Sequence, residues 1–262
     1  MKIVVAGYGA VGVAIERCLR DTEADVYIDD PAKGHYYLLT AEDVQHLPVD
    51  GVIVCVATPM REDGSCNTDH VQEVFEKYGD VKYLIKSAVD PVWLDWEAGV
   101  RDGSYTYSPE FLGGSNTNRN PTEEFANQTF AIYGGHDCRF WDELLRPVLP
   151  ELKEVKYCSI QQASFAKYVE NAFLATKVAF FNEMYNIYHD IGFEGFDQMV
   201  DAISLDPRIG RSHTQVPGPD GKFGYGGHCL PKDIAALRYI AVGSPLLDAV
   251  VDCNEEYRNE VK

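Results

Sequence analysis

A glycine motif framed by two short apolar runs limits the folds open to this chain more than any other feature. Residues 2–6 are apolar and β-branched, as a buried strand requires. Gly7-Tyr8-Gly9-Ala10-Val11-Gly12 follows, then apolar residues at helical spacing (Val13, Ile15, Cys18, Leu19). A second strand over 25–28 ends at Asp29-Asp30. Strand, G-x-G-x-x-G, helix, strand and acid in this order form the dinucleotide fingerprint: glycines turn the chain and admit a pyrophosphate, and the acid meets ribose hydroxyls. Asp29 stands 22 residues after Gly7 and is the preferred ribose ligand, with Asp30 the alternative. An acid there favours NAD over NADP, whose 2′-phosphate it repels.

The alternation continues. Apolar strands are predicted over 51–57, 83–89, 129–133 and 154–158, with a helix over 68–78 and a short Tyr105-Thr106-Tyr107 run. This predicts an α/β fold: a Rossmann-like doubly wound parallel sheet in a domain spanning 1–158, followed by an all-α domain spanning 159–262. Ligands of such sheets bind beyond strand C-termini, where Thr58, Ser87 and Glu110 fall. Residues 113–122 read as an exposed loop. From 159 to 191 one long helix is apolar nearly all round, which predicts deep burial. Along it Ala163, Lys167, Asn171, Leu174 and Val178 form a line. Lys167 and Asn171, one turn apart, are either satisfied core polar groups or donors aimed into a cleft. A second helix ends near Ile203, and a last one runs from Pro245 towards Lys262.

Charge narrows the function classes. Of 262 residues 41 are acidic and 23 basic, a formal charge of −18, which argues against phosphate-tracking nucleic-acid binding. A phosphate-bearing ligand must then be held by local donors such as loop N–H groups. No apolar run is long enough to span a membrane, and the N-terminus does not read as a signal peptide. Seven scattered cysteines fit a reducing compartment, so a cytoplasmic location is expected. No spacing suggests a metal site.

The chemistry is expected at Phe223-Gly224-Tyr225-Gly226-Gly227-His228-Cys229-Leu230-Pro231-Lys232-Asp233. Glycines allow a tight, approachable backbone, and Pro231 suits the first turn of a helix. Cys229 then sits at a helix N-terminus, where unpaired N–H groups and the dipole favour a thiolate. Asp233 follows one turn later on the same face. An inert buried cysteine is the alternative for this residue taken alone. His228 is expected on the loop surface.

This stretch resembles the catalytic-cysteine signature of the UDP-glucose/GDP-mannose 6-dehydrogenase family. Ala-Lys-Tyr-x-x-Asn at 166–171, Ser-Pro-Glu-Phe-Leu at 108–112 and Asp-Pro-Arg-Ile-Gly at 206–210 also match family segments. The resemblance implies NAD-dependent oxidation of a UDP-glucose-like C6 hydroxyl to a carboxylate, through a Cys229 thiohemiacetal and thioester. It implies catalytic roles for Cys229, Lys167, Asn171, Asp233 and Glu110. Cofactor contacts would come from Gly7, Tyr8, Gly9, Ala10, Val11, Gly12, Asp29, Thr58, Ser87 and Lys232, and substrate contacts from Arg208, Phe223, Gly226 and Leu112. It also implies a homodimer, or larger assembly, paired through the central helices. Three features depart from the family: Ala88 replaces a threonine, Gly114 replaces a second glutamate, and the 262 residues stop before the UDP-binding third domain, so that the expectation is either a separate chain that supplies it or a smaller or weakly held substrate. Those departures keep two alternatives open. One is a weak or inactive relative serving as a structural or binding component. The other is a two-electron 3-hydroxy-acid-type dehydrogenase, which also uses a Lys-x-x-x-Asn helix and has no need of Cys229.

Overall fold

The structure, a computed structural model, describes residues 1–34, 39–101, 103–112 and 120–259. Among these the chain forms two compact units, one from residues 1–61, 66–112 and 120–167, the other from 62–65 and 168–259.

The first unit is built on a seven-stranded sheet: β1 (Lys2–Ala6), β2 (Asp25–Asp29), β3 (Gly51–Val54), β4 (Lys82–Ile85), β5 (Ser104–Tyr107), β6 (Phe130–Gly135) and β7 (Glu154–Cys158). Their order is β2-β1-β3-β4-β5-β6-β7. The first five strands are parallel, with Ala6 in register with Asp29 on one side and Val54 on the other. Alternate side chains enter two cores, one on each face. Val4, Val52, Ile85 and Tyr107 pack with Val71 and Phe75 of α3 (Asp69–Tyr78). Ile3, Val5, Ile53 and Leu84 pack with Ile15 and Leu19 of α1 (Ala10–Leu19). This is the period-2 signature of a sheet covered on both sides.

The doubly wound parallel sheet expected from the sequence is present, with one antiparallel pairing towards an edge. β6 meets β5 antiparallel, through Thr106↔Gly135 and Tyr107↔Gly134, and β7 runs parallel to β6. A parallel return needs a crossover along the sheet, whereas an antiparallel neighbour starts where the previous strand stops. Among the described residues between β5 and β6 is the short α5 (Pro121–Ala126), whose Phe125 is buried in the same core as Ile15. That helix takes over the last two residues of the loop expected over 113–122: Asn120 caps it and Pro121 opens it. The rest of that loop, 113–119 with Gly114, lies outside the described residues. The other helices of the unit are α2 (Ala41–His46), α4 (Pro91–Val100) and α6 (Cys138–Leu145).

The long helix α7 (Ile160–Asp190) begins in the first unit and continues in the second, which adds α8 (Phe196–Ile203), α9 (Cys229–Ile240) and α10 (Pro245–Asn259). Ala175 and Ala179 of α7 pack with Tyr225, Ile234 and Val250, while Phe181 packs with Phe196, Val200 and Val216. Burial of α7 all round does not hold within one chain. Val169, Phe173, Phe180 and Ile187 are exposed, Phe173 to 63%. Their spacing marks one uncovered apolar stripe along the helix.

Candidate active site

In the first unit the glycine loop turns from β1 into α1. Gly7 adopts φ +90, and a Cβ on Gly12 would stand 2.0 Å from the Gly7 carbonyl oxygen, so helix and loop touch through backbone alone. The α1 N-terminus has no side-chain cap, Gly9 and Ala10 are exposed, and a Cβ on Gly9 would meet nothing within 4 Å. Tyr8 is tied down by its hydroxyl, which donates to Glu16 at 2.9 Å. Uncapped N–H groups, open space and a helix dipole form a cradle suited to a pyrophosphate.

The two acids after β2 divide. The Asp29 carboxylate is buried and accepts from Lys77 Nζ at 2.8 Å, the Tyr78 hydroxyl at 2.8 Å and the Leu39 N–H at 3.3 Å. Burial and the neighbouring Asp29 push the Tyr78 hydroxyl up, so it remains the donor. Asp30 instead turns to the glycine loop and accepts the Tyr8 N–H at 2.7 Å. At the other strand ends the hydroxyls of Thr58 and Ser87 donate to the backbone carbonyls of Ala88 and Val56, each at 2.7 Å. What they offer a ligand is lone pairs.

Beside them Lys86 is buried with its Nζ donating to Ser108 Oγ at 3.1 Å and lying 3.5 Å from the Glu110 carboxylate. A buried ammonium needs such a partner. Glu110 Oε1 accepts the Phe111 N–H at 3.1 Å. Burial pushes the nearby Cys55 thiol up to about 12, against the pull of Lys86, so it stays neutral. Leu112 packs against the core that holds Ile15 and Trp141. Lys167 sets its ammonium 5.0 Å from the Phe111 ring centroid.

In the second unit Cys229 is the first residue of α9 and is exposed. His228, at the N-cap position, is exposed and makes no side-chain cap bond. One turn into the helix Asp233 is 1% exposed and accepts the Asn171 amide at 2.5 Å. Lys232 bonds its other oxygen. The polar pair foreseen on α7 therefore splits in role: Asn171, 3% exposed, is locked to the cysteine helix through Asp233. Arg208 stays apart from this group; its guanidinium is 87% exposed and grips Asp206 in its own turn at 2.6 Å, holding that carboxyl below its ordinary range. Phe223 packs its ring against Tyr185, with centroids 5.4 Å apart. Among the described residues no cluster of His, Cys, Asp and Glu suits a metal ion, and no helix is long and apolar enough to cross a membrane.

Residues 161–256 match the central domain of the UDP-glucose/GDP-mannose dehydrogenase family. The chain is 30% identical over 224 residues to a UDP-glucose 6-dehydrogenase of Rickettsia bellii, covering 79% of this chain and 49% of that protein. It is 30% identical over 232 residues to a GDP-mannose 6-dehydrogenase of Pseudomonas putida, covering 79% and 50%. The chain belongs to the UDP-glucose/GDP-mannose dehydrogenase family. It spans about half the length of the curated relatives it matches. A UDP-glucose dehydrogenase of Pyrobaculum islandicum shares the fold with TM-score 0.76 at 24% identity, over 97% of this chain and 68% of that one. A 3-hydroxyisobutyrate dehydrogenase of Mycobacterium tuberculosis shares it with TM-score 0.64 at 17% identity, over 98% and 93%.

The matched segment of this chain also contains residues that the sequence pattern does not single out. Asn182 of α7 accepts the Gly224 N–H at 2.9 Å, and Asn254 of α10 accepts the Tyr225 N–H at 2.6 Å. Beyond the matched segment, Arg258 bonds Asp220 at 2.8 Å. All three hold the loop that ends at Cys229. In the sequence they are polar residues on helices, with nothing local to mark their partners.

Proposed function

We propose that the chain oxidises the C6 hydroxyl of a UDP-glucose-like sugar nucleotide to the carboxylate in two NAD-dependent steps, with Cys229 as the nucleophile. Family membership supports the substrate class. The observation that carries the mechanism is the exposed thiol at the start of α9, one turn from a buried Asp233–Asn171 pair.

NAD, when bound, accepts the hydride in each oxidation. The residues that would hold it are the glycine loop with its uncapped helix N-terminus, and an acid for the ribose. Of the two acids we assign Asp30, because it touches the loop, while Lys77 and Tyr78 already occupy Asp29. Loss of a hydride and a proton turns the C6 alcohol into an aldehyde. The Cys229 thiolate then bonds to the aldehyde carbon and the carbonyl oxygen takes up a proton, and loss of a second hydride together with that hydroxyl proton from this thiohemiacetal leaves a thioester. Water adds to the thioester carbon, the C–S bond breaks, and acid and thiol are released. Asn171 is a fixed amide that stabilises the oxyanion, joined by Lys167 one turn earlier on α7. Asp233 orients or deprotonates the water. The Glu110 assignment as a second carboxylate rests on its Ser-Pro-Glu-Phe-Leu motif, and that of Arg208 on Asp-Pro-Arg-Ile-Gly. A homodimer is part of the proposal, because the exposed stripe Val169, Phe173, Phe180 and Ile187 is the kind of apolar surface that pairs.

Incubation with UDP- and GDP-sugars and excess NAD tests the reading. The expected yield is two NADH per sugar, falling to one in Cys229→Ser. No NADH from any sugar nucleotide refutes the substrate class; one NADH, indifferent to Cys229→Ala, points to a simple alcohol dehydrogenase.

A further inference from the structure

We infer that Asn254 and Arg258, on α10, are positioning residues that latch the loop carrying Cys229; the inference rests on the reading of Cys229 as nucleophile. The segment 217–228 contains five glycines, three of them with φ between +74 and +78. A chain this permissive loses much conformational freedom on being held in one shape, so its geometry has to be imposed from outside. Local bonds close only its tip, where the Gly218 N–H meets the Lys222 carbonyl at 2.8 Å and the Gly221 N–H meets the Gly218 carbonyl at 2.9 Å.

From outside, the loop is held by α7, where Asn182 takes the Gly224 N–H, and at two points by α10. Asn254 and Arg258 are four residues apart and so lie on one face of that helix. Asn254 Oδ1 receives the Tyr225 N–H, and Arg258 Nη1 grips Asp220 Oδ2. The glycine pattern fits these two side chains. A Cβ on Gly224 would stand 2.5 Å from Asn254 Oδ1, and a Cβ on Gly226 would stand 1.4 Å from Arg258 Nη2. Two glycines of the Gly-Tyr-Gly-Gly run thus leave room for the latch as well as for any ligand. Tyr225 between them is 4% exposed and anchors the loop in the core with Ala175 and Val250. Cys229 follows Gly226 by three residues, so a shift of the loop moves the sulfur.

The test uses the full chain. Iodoacetamide labelling is followed by peptide mass spectrometry, with the half-buried Cys138 of the other unit as internal reference. Arg258→Ala and Asn254→Ala should each change the labelling rate of Cys229 relative to Cys138 and lower kcat about tenfold or more, as small misplacements of a reacting group do, with KM for UDP-glucose nearly unchanged. The reversed pair Asp220→Lys/Arg258→Glu should recover most of the labelling rate, which a general loss of packing would not allow. Where Arg258→Ala melts early, Asp220→Asn removes the same ion pair and leaves the arginine stem in place. Unchanged Cys229 labelling in folded single variants overturns the inference, and failure of the reversed pair overturns the Arg258 half of it. A wild-type chain that yields no NADH defeats the functional reading instead, and leaves the labelling comparison intact.

Discussion

Exchanging Asn171 and Asp233 separates what holds the cysteine site together from what the site does. The amide of Asn171 donates to Asp233 at 2.5 Å, and both residues are buried. Asn171→Ala leaves the buried carboxylate with Lys232 as its partner. A hydrogen bond to a charged group contributes about 1.5–3 kcal/mol, and an unmet buried polar group costs a similar amount. The expected loss is therefore about 2–3 kcal/mol, or a fall in melting temperature of roughly 4–12 °C at about 2–4 °C per kcal/mol. Asn171→Asp should be worse, because two carboxylates would face each other at hydrogen-bond distance until one took up a proton. The double variant Asn171→Asp/Asp233→Asn restores donor and acceptor with their places exchanged. It should recover stability with a coupling of about 1–3 kcal/mol. On the proposed mechanism activity should not return, since the amide assigned to the oxyanion and the carboxylate have changed places. Thermal unfolding followed by circular dichroism, beside NADH release, measures both. A melting temperature indifferent to Asn171→Ala, or a double variant no more stable than the worse single one, refutes the reasoning.

Other expectations concern separate parts of the molecule. Asp30→Ala should weaken NAD binding in a calorimetric titration about tenfold, as expected for the loss of one charge-assisted hydrogen bond, and lower the melting temperature by a few degrees because the Tyr8 and Ala32 N–H groups lose their acceptor. Asp29→Ala should lower the melting temperature as well, because Lys77 and Tyr78 lose their shared acceptor, but leave NAD affinity nearly unchanged; a loss of NAD affinity confined to Asp29→Ala would return the ribose to Asp29. Phe173→Glu on the exposed stripe of α7 should shift sedimentation towards a monomer without unfolding the chain, and an unchanged sedimentation coefficient removes that stripe as the interface. Burial draws the Asp220 carboxyl up, but Arg258 and the Lys222 N–H outweigh it and hold it below its ordinary value. A carboxyl depressed in the folded state contributes stability above its unfolded value near 4, and loses it as pH falls through the lower folded one. Cys229 labelling in the wild type should therefore show no break attributable to the latch between about pH 5 and 8; a break that Asp220→Asn abolishes would contradict this.

What could be read from the sequence is what repeats at short range. Val4 and Ile3 enter opposite cores, as alternation along a strand demands, and Gly7 and Gly12 stand where only backbone fits. Cys229 opens a helix because Pro231 and the glycines before it leave little else open. Two helices have legible starts: Asp90-Pro91 and Asn120-Pro121 each pair a capping side chain with a proline at the first turn. Other features depend on partners distant in sequence. Lys86 and Glu110 are 24 residues apart, and nothing local says that one neutralises the other. Asn182, Asn254 and Arg258 are ordinary helix residues until the loop is laid against them. The reversed direction of β6 hinges on how a 22-residue link travels between Tyr107 and Phe130, which periodicity does not encode. Apolar residues all round α7 predict core, but the sequence does not say what covers each of them, and the stripe with Phe173 is exposed.

The most direct trial of the central claim is the mass of the Cys229 peptide after acid quench during turnover of UDP-glucose with excess NAD. The account predicts a uronyl thioester on that sulfur in the wild type, in larger amount in Asp233→Asn as hydrolysis slows, and none in Cys229→Ser. Steady release of two NADH per sugar with the Cys229 peptide unmodified throughout, and undiminished in Cys229→Ser, would contradict it.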